Sequence, residues 1–133
     1  CLLAPAGVFR EIGVLDERYF IYFEETDWNL RARARHYRCR YLPSSRIYHK
    51  VSQAMGSGSP ISDYYYARNR LLFFRSRAPM RYRYWLIALY TARSLRYAYA
   101  IRQAGRIQNA AAIVTGITDF YRGRFGKCSS DFT

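Results

Sequence analysis

A chain of 133 residues, half of them hydrophobic, is long enough for one domain with a buried core. Its formal charge of +13 is unevenly spread: residues 1–28 carry a net −4 and residues 29–133 a net +17, so the basic part suits phosphate, in nucleic acid or an anionic bilayer, and the acidic part suits catalysis or a cation. Cysteines at 1, 39 and 128 lack the spacing of a zinc site or a redox pair, which favours reduced thiols in a cytosolic setting, and no secretory signal pattern is present.

In chain order, Cys1-Leu2-Leu3-Ala4 reads as part of a buried strand. Pro5 to Gly13 reads as a short helix, with Pro suited to its first turn, Gly to its end, and Val8 and Ile12 on its buried face. Asp16-Glu17-Arg18 is a polar turn, and Tyr19 to Phe23 a short apolar run. A helix follows from Trp28 to His36, with Leu30 and Ala34 as its apolar stripe, Asp27 and Arg31 as i,i+4 partners, and His36 as a cap at its C-terminal end. Residues 38–42 and 46–50 carry short strand patterns around Pro43-Ser44-Ser45. Ser52 to Pro60 is small, polar and glycine-rich and reads as a mobile loop. Helices are predicted over 62–77, 80–103 and 107–121, with Tyr65, Asn69, Leu72 and Ser76 along one ridge of the first. Arg93 and Arg96 interrupt the longest apolar stretch, so none of these is expected to span a membrane. Residues 123–133 form a tail.

Two features carry chemistry. Glu24, Glu25 and Asp27 crowd a loop-to-helix junction, where mutual repulsion raises at least one carboxyl pKa unless a cation intervenes. That suits a general base or a metal site; the plainer reading is a solvated helix start that complements the dipole. His49, at a strand end before the glycine-rich loop, is placed to ligate a divalent metal, although a lone histidine is more often structural.

The run Gly13-Val14-Leu15-Asp16-Glu17-Arg18-Tyr19-Phe20-Ile21-Tyr22-Phe23-Glu24-Glu25-Thr26-Asp27-Trp28-Asn29-Leu30-Arg31 resembles the segment G-x-[FL]-D-E-x-[FY]-F-x-Y-F-E-D-x-D-x-x-x-R of family 2 nucleotide-sugar glycosyltransferases. Tyr41-Leu42-Pro43, Tyr48-His49-Lys50, the Y-Y-A-R-N-R-L run of residues 65–71 and Gly123-Arg124-Phe125-Gly126 resemble later elements of that family, in the same order. The rhamnosyltransferase-like subgroup is the nearest. The resemblance implies an α/β fold: residues 1–60 as the C-terminal part of a Rossmann-like, A-type catalytic domain, and residues 61–133 as a helical region after it. It implies inverting transfer of a sugar from a nucleotide diphosphate donor to the hydroxyl of a lipid-linked or saccharide acceptor, in cell-surface polysaccharide assembly. A divalent metal, manganese or magnesium, would stabilise the leaving diphosphate. Glu25 falls on the base position, with Glu24 and Asp27 as the alternative carboxylates. His49 falls on a metal-facing position, and Arg68 and Asn69 on positions that bind diphosphate or acceptor. The expected setting is cytoplasmic, peripheral at the inner face of an anionic membrane.

Two departures stand out. The base position holds Glu rather than the usual Asp, and a misplacement of about 1 Å can cost ~100-fold in rate. No Asp-x-Asp metal motif occurs in the chain, so the chain is expected to lack the family's donor-binding half and to be inactive alone. The competing reading is a basic module without catalysis that binds a membrane surface or nucleic acid. The arginines of 81–106 do not line one helical face, which counts against nucleic acid as a partner.

Overall fold

The structure is a computed structural model, described for residues 2–48, 58–130 and 132. Five helices form in chain order: α1 (Ala6–Ile12), α2 (Glu24–Ala34), α3 (Pro60–Arg77), α4 (Met80–Gln103) and α5 (Ile107–Tyr121). The three long helices lie within a residue or two of their predicted spans.

The expected α/β, Rossmann-like architecture is overturned: among the described residues there is no strand and no sheet. A strand is a pairing rather than a local property, and two short segments are marginal in water unless a third strand or a helix covers them. Leu3 and Ala4 lie in no strand among the described residues, and Leu3 is exposed. Residues 38–48 run as open chain, with Tyr41, Leu42, Ile47 and Tyr48 turned to solvent. The helices bury their apolar faces on one another, and the β-like patterns find no partner among the described residues. The remainder of the second predicted strand, and His49 with it, lies outside the described residues.

The core is built on α3, which packs on α4 and most extensively on α5. Leu71 and Leu72 meet Ile87, Ala98 and Ile101 of α4 and Ala110, Ile113, Ile117 and Phe120 of α5. The α3–α5 crossing is close because Gly116 faces it: a Cβ there would stand 2.5 Å from the Tyr64 carbonyl oxygen. Ser59 caps α3, its Oγ accepting from the Ser62 amide at 3.3 Å, with Pro60 in the first turn. Asn109, at the start of α5, donates to Gly58 O and to Asp63 Oδ2 and so fixes the two helix starts together.

Helices α1 and α2 form a smaller unit around Val8, Trp28 and Ala32, with Ile12 packed on it. The indole of Trp28 donates to Gly13 O at 2.9 Å. The buried face of α2 is Asp27, Trp28 and Ala32; Leu30 and Ala34 are exposed, contrary to the expected stripe. The larger indole takes the core position and rotates the helix accordingly. His36 lies just beyond α2 in a left-handed conformation, φ 64°. Among the described residues Cys39 and Cys128 are free thiols, and no helix is long and apolar enough to cross a membrane.

Candidate functional site

The acidic junction is delivered by a strained aromatic loop. Phe20, Tyr22 and Phe23 all have positive φ (65°, 65° and 75°), a conformation that costs non-glycine residues on the order of 1–3 kcal/mol each and gathers at functional sites. Such a loop persists only if its surroundings over-determine it. Here Asn69 does so: its Nδ2 donates to Tyr19 O at 2.8 Å, Ile21 O at 2.7 Å and Tyr22 O at 3.2 Å. The adjacent Arg68, 1% exposed, donates from Nη2 to Arg18 O and Tyr19 O and from Nη1 to Gly126 O and the Tyr64 hydroxyl. Its guanidinium also lies over the rings of Tyr64, Tyr65 and Phe125. Above the loop, Phe20 stacks on Tyr65 and Tyr22 on Tyr66.

Arg68 and Asn69 are therefore committed to backbone carbonyls in the interior. They hold the loop, and their donors are engaged by acceptors within the protein. The 123–126 tail joins the same network. Gly126 N donates to Arg18 O, and Phe125 packs on the core.

The three carboxylates have three different environments. Asp27 is fully buried. Arg77 reaches it with Nε at 2.5 Å and Nη2 at 3.1 Å, Arg31 with Nε at 3.0 Å, and the Tyr19 hydroxyl at 3.3 Å. Both oxygens are thus occupied. Arg31 continues to Ile12 O and Val14 O, so Asp27 lies at a joint between α1, α2 and α3. Hydrogen bonding to Asp27 raises the Arg77 pKa, while burial and then the charge of Asp27 push the Tyr19 phenol up. Glu24 is half-buried, and its Oε2 is buried without a hydrogen-bond partner among the described residues. Burial pushes its carboxyl above the usual range, and the neighbouring charge of Glu25 adds to the effect. Glu25 itself is exposed at the helix start.

Among the described residues no three His, Cys, Asp or Glu side chains come together as a cation site. Asp27 is already neutralised by two guanidiniums. The described residues do not by themselves fit a divalent ion, and His49 lies outside them. Sequence reasoning missed Arg77, Tyr19 and the tail as partners of the site. Arg77 is 50 residues from Asp27, and nothing local in the chain signals the pairing.

No family model and no solved structure matches the chain. Over 56 residues it is 34% identical to N-acetylglucosaminyl-diphospho-decaprenol L-rhamnosyltransferase of Mycobacterium tuberculosis, in two strains. The likeness is to a glycosyltransferase. The matched segment is 42% of this chain and spans 18% of the length of those curated relatives.

Proposed function

We propose that the chain carries the acceptor-activating segment of an inverting, family 2-like glycosyltransferase, with Glu25 as general base. The observation that carries this reading is the loop-held pair at the start of α2: Glu25 exposed, beside Glu24, whose buried Oε2 has no hydrogen-bond partner among the described residues. Asp27 does not compete for the role, because both its oxygens are engaged. Burial raises the Glu24 carboxyl above its ordinary range. The exposed Glu25 carboxylate then takes the proton of an acceptor hydroxyl as that oxygen attacks the donor sugar. Loop strain, held in place by Asn69 and Arg68, fixes the orientation of both carboxylates. The partial likeness to a rhamnosyltransferase acting on a polyprenol-linked diphosphate sugar supports nucleotide-linked rhamnose and a polyprenyl-diphosphate N-acetylglucosamine as the first substrates to test.

The test is transfer measured in the protein that contains this segment, comparing wild type with Glu25→Gln. Turnover falls at least ~100-fold, the lower range for loss of a general base, while donor affinity changes little. Turnover near wild type would remove Glu25 from the role.

A peripheral membrane setting is part of the same proposal. Helix α4 exposes Met80, Tyr84, Trp85 and Tyr99 beside several arginines, the combination of apolar, aromatic and cationic side chains that suits an anionic interface.

A further inference from the structure

Helices α3, α4 and α5 leave an open cleft of about 490 Å³. Its floor is apolar, formed by Ala67 and Ile113. Arg70 and Arg93 line its walls, and both guanidiniums lie against the ring of Tyr90, at 5.5 and 5.8 Å from its centroid. Among the described residues neither has a carboxylate within ion-pair distance, in contrast to Arg18, Arg31, Arg77 and Arg106. Asp63, the one acid among the described residues that line the cleft, is engaged by Asn109 at 2.7 Å and Arg106 at 3.6 Å. Tyr66, Tyr97 and Ser94 add hydroxyl-bearing side chains to the wall. The cleft therefore has two arginines in its lining without an ion-pair carboxylate among the described residues, neutral hydrogen-bonding groups and an apolar floor.

We propose that this cleft binds a phosphate or diphosphate group, gripped by the guanidiniums of Arg70 and Arg93, with the apolar floor under whatever the group is attached to. Guanidinium pairs match phosphoryl oxygens in charge and geometry. The site is separate from the Glu24–Glu25 pair but shares a wall with its loop, since Tyr66 of the cleft stacks on Tyr22 with ring centroids 4.3 Å apart. The inference rests on the cleft alone and stands whether or not Glu25 is a base.

The experiment titrates the chain with inorganic pyrophosphate by calorimetry and, in parallel, floats it with phosphatidylcholine vesicles with and without phosphatidic acid. Arg70→Gln and Arg93→Gln are compared with Arg33→Gln, an exposed arginine of α2 outside the cleft. Binding of pyrophosphate that weakens about 10-fold in each cleft variant and is unchanged in Arg33→Gln supports a soluble phosphoryl ligand. Binding confined to phosphatidic acid vesicles and lost in the same two variants supports a lipid phosphate. Binding of neither probe, or equal weakening by Arg33→Gln, overturns the site and reduces the effect to net charge. Arg93 is exposed, so its variant keeps the test decisive even if Arg70→Gln disturbs the fold; far-ultraviolet circular dichroism checks both.

Discussion

Asp27→Asn is the substitution most informative about how the acidic junction is built. The wild-type carboxylate has no solvent exposure and receives Nε and Nη2 of Arg77 and Nε of Arg31. An asparagine amide keeps one acceptor oxygen and turns its NH2 toward a guanidinium, donor against donor, while two cations lose their counter-charge. Breaking a buried pair costs roughly 3–5 kcal/mol. The two arginines retain 20% and 29% side-chain exposure, so water recovers part of their solvation and the lower end applies. The expected loss is about 3 kcal/mol, and with roughly 4 °C per kcal/mol for a domain of this size the melting point drops by ~12 °C. The assay is urea and thermal unfolding followed by circular dichroism, on Asp27→Asn, Arg77→Gln and the double variant. In the double variant the Arg77→Gln cost shrinks, because its partner is already gone. A loss below about 1 kcal/mol for Asp27→Asn, against the 3 expected from burial, or strict additivity in the cycle, would refute the joint as described.

Three further outcomes follow from the same geometry. Gly116→Ala destabilises the chain by about 1–3 kcal/mol despite alanine's better helix propensity, because its Cβ meets the Tyr64 carbonyl at 2.5 Å; a urea midpoint equal to wild type would contradict the close crossing. Glu24 has a folded-state pKa above its ordinary 4.5, so the folded chain binds the extra proton and stability falls as pH rises from the unfolded value through the folded one. Glu24→Gln is therefore more stable than wild type at neutral pH, and that advantage disappears below about pH 4.5; an advantage that persists in acid would show another cause. In flotation with anionic and neutral liposomes, the chain binds the anionic ones and is released by salt, and Trp85→Ala, removing a side chain 62% exposed on α4, weakens that binding; equal binding to both lipids, or none, counts against the membrane surface.

The sequence by itself determined the helices that make up most of the fold. Pro79 before Met80 and Gly105 between α4 and α5 are local signals that act within one helical turn, and α4 and α5 lie where those residues dictate, whereas α3 begins at Pro60, two residues earlier than expected and at the end of the stretch read as a loop. The Asp27–Arg31 pair was legible for the same reason, since i,i+4 spacing puts the two on one face. The crowded carboxylates were also visible, and with them the expectation that one would titrate high. Which carboxylate that is was not, because the answer depends on burial: Asp27 is neutralised by Arg77 from a helix 50 residues away, and Glu24 has a buried oxygen without a hydrogen-bond partner among the described residues. The placement of Arg68 and Asn69 is likewise a tertiary matter. Their positions suggested ligand contact, but the tertiary structure turns them inward, onto carbonyls that the left-handed Phe20, Tyr22 and Phe23 leave without helix or sheet partners. The short strands failed because alternation records only a preference for extended chain; a sheet requires a neighbour at hydrogen-bonding distance, and the packing of α3, α4 and α5 supplies none among the described residues.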